Sequence, residues 1–130
     1  MLSNSKVREI AVDNQVFMWS HTHRYEHTDD TFISRFFFSP KDKKSMSVEC
    51  FFKTRASYNM GCYLNAGFLV IKDGEEYEIN FNKPKFVSEF IRFILANKVD
   101  LAKQERYRFD NAFGFLKEMG FHSSHDSIEF

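Results

Sequence analysis

Potential metal ligands and proton carriers gather in one stretch of the chain, His21-Thr22-His23-Arg24-Tyr25-Glu26-His27-Thr28-Asp29-Asp30. Read as a strand, its period of two projects Trp19, His21, His23 and Tyr25 from one side. Two neutral imidazoles on one face beside a carboxylate can hold zinc or another divalent ion. The spacing matches no familiar metal motif, because Glu26 follows His23 too soon and falls on the opposite strand face. We therefore expect no metal or other cofactor, and histidines satisfied by hydrogen bonds at the end of an aromatic stripe. The same four residues could instead floor a small-molecule cleft, since ligand sites are mostly apolar with a few oriented polar groups.

The remaining reactive side chains are scattered. Asp29 and Asp30 are adjacent, and neighbouring carboxylates in a loop rarely converge on one substrate atom, so turn formation is the expected role. Cys62 follows Gly61 in a polar segment without a readable base, and Cys50 sits in an apolar run; both are expected to be free thiols. Glycine occurs only at 61, 67, 74, 114 and 120, which leaves no Gly-rich phosphate cradle. With no nucleophile–base pair in sight, no catalytic residue is assigned and the chain is expected to be non-enzymatic.

What must position these residues is a frame rich in phenylalanine, seventeen in 130 residues. Each buried ring removes about 150–250 Å² from water and brings no reactive group, so the excess speaks of packing. A chain this long can bury one core without disulfides and is expected to be a single domain. Eighteen basic residues balance eighteen acidic ones with no long basic run, an argument against nucleic acid. The first residues lack the apolar stretch of a secretory signal and no segment has the length of a membrane span, so a cytoplasmic protein without membrane contact is expected.

Ile10 to Phe17 reads as a hairpin around Asp13-Asn14, with its second strand running to about Tyr25. Phe32–Ser39 and Ser47–Arg55 follow as strands three and four, separated by Pro40 and a charged turn. After a loop from Ala56 to Gly67, Phe68–Lys72 and Glu75–Asn82 form a hairpin around Asp73-Gly74. The period then changes to 3.6, with Phe86, Val87, Phe90, Ile91, Ile94 and Leu95 on one stripe. This predicts a helix over 85–97, entered through Pro84 with Asn82 or Lys83 as cap. Tyr107–Phe109 is a candidate short strand. A shorter helix should run from an Asp110 cap through Met119 to Gly120 at the left-handed C′ position, with Phe121 folding back and residues 122–130 frayed. The pattern is α+β: an antiparallel sheet of five to six strands in hairpin order, backed on one face by two helices near the C-terminus.

Strand parity assigns Phe17, Trp19, His21, His23, Tyr25, Phe32, Phe36, Phe38, Val48, Cys50 and Phe52 to the helix side, with Phe68, Val70, Tyr77, Ile79 and Phe81 from the later hairpin. The opposite parity should meet solvent, yet it carries Phe37, Phe51, Leu69 and Ile71 among Arg35, Glu49, Lys53 and Glu76. An apolar patch rimmed by charge is the composition of an interface. The expected function is association, as a homodimer through these four residues or with another protein. Small-molecule binding, or a weak enzymatic activity, in a cleft at Trp19, His21, His23 and Tyr25 is the alternative. A C-terminal segment crossing the same face would bury the patch within one chain.

Overall fold

The computed structural model describes residues 7–43, 45–55 and 68–123. In chain order its elements are β1 (Arg8–Val12), β2 (Gln15–Glu26), β3 (Thr31–Pro40), β4 (Ser47–Arg55), β5 (Phe68–Lys72), β6 (Glu75–Ile79), α1 (Pro84–Asn97), β7 (Arg106–Phe109), α2 (Phe113–Glu118) and β8 (His122–Ser123). The α+β expectation holds, with strands β1 to β4 following one another as antiparallel neighbours. Both two-residue turns have the backbone that Asp, Asn and Gly tolerate: φ is 49° and 67° at Asp13 and Asn14, and 54° and 78° at Asp73 and Gly74. Two successive positive φ angles match the right-handed twist of the flanking strands, which is why these short turns fix the register.

One sheet was expected and, among the described residues, two are present. The larger has the order β1-β2-β3-β4-β7 and the smaller β6-β5-β8. The edge of β4 is taken by β7, which pairs parallel to it with Val48 opposite Tyr107 and Cys50 opposite Phe109. The β5–β6 hairpin therefore cannot extend that sheet and pairs on its free side with β8, where Val70 meets Ser123 and Ile71 meets His122. Residues 122 and 123 thus belong to a strand; 124–130 lie outside the described residues, as do the 56–67 loop and Cys62.

β6 stops at Ile79, short of Asn82, because the Asn80 side chain accepts the Asn82 backbone N–H at 2.8 Å and its carbonyl accepts from Lys83 N–H at 3.0 Å. This Asx turn leads into α1, whose cap is Lys83 with Pro84 in the first turn. The expected Asp110 cap of α2 is not used. Asp110 accepts from Arg108 Nε at 2.8 Å, the capping position is Ala112, and the Ala112 N–H is held by the Phe51 carbonyl at 2.9 Å. At its other end, α2 closes as expected. Gly120 has φ 96°, the Phe121 N–H reaches the Leu116 carbonyl and the Gly120 N–H that of Lys117, each at 3.0 Å. These paired bonds form a Schellman motif, and they turn Phe121 back into the core.

One cluster of buried side chains joins both sheets and both helices. Phe86, Val87, Phe90, Ile91 and Ile94 supply the buried stripe of α1. At the centre lies Phe81, with ring centroids 4.9 Å from Phe36, 5.0 Å from Phe86, 5.2 Å from Phe90 and 5.3 Å from Phe52. Such tilted and edge-on pairs each add about 0.5–1.5 kcal/mol beyond area burial. Among the described residues, no helix is long and apolar enough to cross a membrane.

Candidate functional site

β2 carries the histidine stretch and the antiparallel register fixes its neighbours: Trp19 opposite Phe38, His21 opposite Phe36, His23 opposite Ser34 and Tyr25 opposite Phe32. Trp19 is core, 3 % exposed, with the Arg8 guanidinium 5.4 Å from its ring centroid. His21 stacks on Phe81 at 5.2 Å, and neither ring nitrogen has a hydrogen-bond partner among the described residues. The expectation of a hydrogen-bonded histidine therefore fails at this position, where the ring stacked on the imidazole, that of Phe81, offers no acceptor or donor. Burial, reinforced by the nearby His23, lowers its pKa to about 4, so the ring is neutral at physiological pH.

His23 is half-buried, and Tyr25, 39 % exposed, lies at the strand end. The Tyr25 hydroxyl donates to Asp30 Oδ1 at 2.5 Å, which raises its pKa, and its ring meets those of His27 and Phe32. Asp30 adopts φ 50° in this turn. Its carboxylate thus fastens the β2–β3 loop to the strand. Among the described residues, no group of three or more His, Cys, Asp or Glu side chains is placed to hold a metal ion. The gradient along β2 runs from aromatic core to solvated loop without converging reactive groups.

The opposite face of the larger sheet is built differently. Met18, Ser20 and Thr22 on β2, Arg35 and Phe37 on β3, Glu49 and Phe51 on β4, and Arg108 on β7 share it by register. Phe37 and Phe51 are half-buried, and Ser20 and Thr22 are buried, at 6 % and 5 % exposure. The Arg35 guanidinium sits 5.0 Å from the Phe37 ring centroid, while its Nε pairs with Glu49 Oε2 at 2.5 Å. The Arg108 guanidinium lies 4.7 Å from Phe51 and is anchored by Asp110, which raises its pKa. Each phenylalanine on this face thus has a guanidinium for a neighbour, set in place by a carboxylate.

The four apolar residues grouped by strand parity are divided between the two sheets: Phe37 and Phe51 are on the larger, whereas Leu69 and Ile71 stand on β5 in the smaller. The C-terminal segment does not cross the Phe37–Phe51 face as far as residue 123. β7 extends the sheet edge, and Phe113, Leu116 and Phe121 go to the core side, where Phe113 meets Phe52. Parity placed Arg35 in the charged rim of this face, but neither its stack on Phe37 nor any role for Arg108 was assigned from sequence. Arg35 is two residues from Phe37 and shares its parity, so that stack was open to inference; the Arg108 stack depends on the parallel β4–β7 register, which no local pattern announces.

No protein-family model matches the chain, and neither a curated protein nor a solved structure is significantly similar to it. The site geometry carries the functional reading alone.

Proposed function

We propose that the chain is a cytoplasmic, non-enzymatic association domain that forms a homodimer through the open face of its larger sheet, centred on Phe37 and Phe51. The observation that carries this reading is the pairing of half-buried phenylalanines with oriented arginines, Arg35 on Phe37 and Arg108 on Phe51. Aromatic residues and arginine are the types that dominate interface energetics, and a charged rim around an apolar centre is the usual arrangement. The charges are largely balanced on the face itself, through Arg35 with Glu49 and Arg24 with Glu26, so a two-fold copy would meet no large like-charge field. Five strands at about 4.8 Å spacing and the eight β3–β4 pairs at about 3.4 Å per residue outline roughly 600 Å² per copy, within reach of a specific interface. The buried free thiol of Cys50, its pKa pushed up to about 12 by burial and by Glu49, is compatible with a reducing compartment.

The test is solution mass by light scattering at about 100 µM, where even a micromolar dimer is mostly assembled. The native chain should run at twice its 15.5 kDa protomer mass. Phe51→Glu and Phe37→Glu should each return it to the protomer mass with an unchanged circular dichroism spectrum. A native chain that runs as a monomer overturns the proposal.

A further inference from the structure

Away from the sheet face, a cleft of about 590 Å³ opens between the β5–β6 hairpin and the C-terminal half of α1. Its apolar surface comes from Tyr77 on β6, Phe93 and Ala96 on α1, and Met119 after α2. Its rim is acidic: Asp73, Glu75 and Glu76 line it from the hairpin and Glu89 from the helix. Two cations also reach the rim, and both are engaged. Arg92 Nε is bound to the Asp13 carboxylate at 3.0 and 3.3 Å, and the Lys72 ammonium lies 4.9 Å from the Phe121 ring centroid.

The Tyr77 hydroxyl donates to Glu89 Oε2 at 2.7 Å. This bond joins hairpin to helix across the cleft and fixes the tyrosine ring, which also packs on Phe121 at 4.9 Å. Burial and the Glu89 carboxylate raise the tyrosine pKa, so the charge of the pair stays on Glu89. The carboxylates of Asp73, Glu75 and Glu76 have no hydrogen-bond or ion-pair partner among the described residues. Three uncommitted carboxylates therefore stand beside an apolar floor.

We infer that this cleft binds a short basic segment of a partner protein, inserting an apolar side chain against Tyr77, Phe93 and Met119 while flanking lysine or arginine side chains pair with Asp73, Glu75 and Glu76. Charge complementarity selects a cationic occupant, and the apolar floor selects one that also has an apolar group to bury. The cleft is open to solvent, whereas a small-molecule site normally encloses most of its ligand. An occupant whose remaining mass lies outside the cleft fits that shape. The site is independent of the Phe37–Phe51 face, so either can stand without the other.

The test uses a random twelve-residue peptide library displayed on phage and selected on the immobilised native chain, with anisotropy titration of the synthetic peptide from the most enriched clone. Selected sequences should be rich in Lys or Arg beside Leu, Ile, Met or aromatic residues. The peptide should weaken by about tenfold or more on Glu75→Lys/Glu76→Lys, and should lose affinity with rising salt. A separate Phe93→Ser variant should weaken it as well, which distinguishes the cleft from general attraction to acidic surface. Phe51→Glu should leave the affinity unchanged. No enrichment, enrichment of acidic or purely apolar sequences, or binding that survives the charge reversal overturns the inference.

Discussion

Phe36 and Phe37 are chain neighbours of the same type, and the sheet sends them to opposite environments. Phe36 is fully buried among the rings of Trp19, Phe38, Phe81 and Phe90. Phe37 is half-buried with a guanidinium for company. On the helix side rings pack on rings, and the gain is desolvation that only folding supplies. On the open side rings pack on arginines, which cover apolar surface with their stems while their charged ends stay near water. In the association proposed above, the second arrangement is what would keep an aromatic face soluble in the monomer and available to a partner.

The sharpest way to break this comparison is truncation. Phe36→Ala should cost about 3–5 kcal/mol by urea unfolding, and Phe37→Ala under about 1.5 kcal/mol at concentrations where the chain is monomeric. Equal losses would show that the two faces are buried alike.

His21 gives the next effect, because it is a titrating group on the ring-on-ring side. Its folded pKa of about 4 lies below the ordinary 6.5, so between those values the unfolded chain takes up a proton that the fold refuses. Stability should be full above about pH 6.5 and fall as pH drops toward 4, by roughly 3 kcal/mol in all from this group. The measurement is the urea midpoint against pH for the native chain and for His21→Phe, whose difference removes the carboxylates common to both. The variant should also be the more stable at pH 5, having lost two buried nitrogens that have no partner among the described residues. Parallel profiles would show that His21 is solvated or protonated in the fold.

On the open side the energies are smaller. A double-mutant cycle on Arg35→Ala and Glu49→Ala should return a coupling of about 1 kcal/mol or less for this half-buried pair, decreasing with salt. Smallest of all, Thr22→Val should be neutral or stabilising by up to about 1 kcal/mol, since the buried Thr22 hydroxyl has no partner to lose among the described residues. A clear destabilisation would mean that the hydroxyl is hydrogen-bonded in solution.

Strand parity was legible wherever a hairpin fixed it. Asp13-Asn14 and Asp73-Gly74 announced their turns, and Phe17, Phe36, Phe38, Val48, Cys50 and Phe52 are buried as alternation requires. The stripe from Phe86 to Ile94 announced α1, and Gly120 announced the end of α2. Non-local pairing was not legible. Nothing near Tyr107 indicates that its strand lies parallel to β4, and that one contact displaces the β5–β6 hairpin into its own sheet. The site followed the same division. Phe37 and Phe51 were found by parity, whereas Arg108 and the cleft between Tyr77 and Met119 arise from elements brought together only by tertiary packing. Leu69 was placed with Phe51 on the assumption of a single sheet, which the β4–β7 pairing removes.

That parallel pairing also sets a schedule for synthesis. Strands β1 to β4 need only their own turns and can assemble as soon as Arg55 has left the ribosome, but the strand that covers the β4 edge begins at Arg106. At about 5–20 residues per second, the intervening fifty or so residues take several seconds to emerge. Throughout that interval a phenylalanine-rich strand presents an unpaired edge, the condition under which nascent sheets pair with one another. Cellular yield should therefore depend on translation speed between β4 and β7 and on chaperones that occupy the edge until Arg106 arrives.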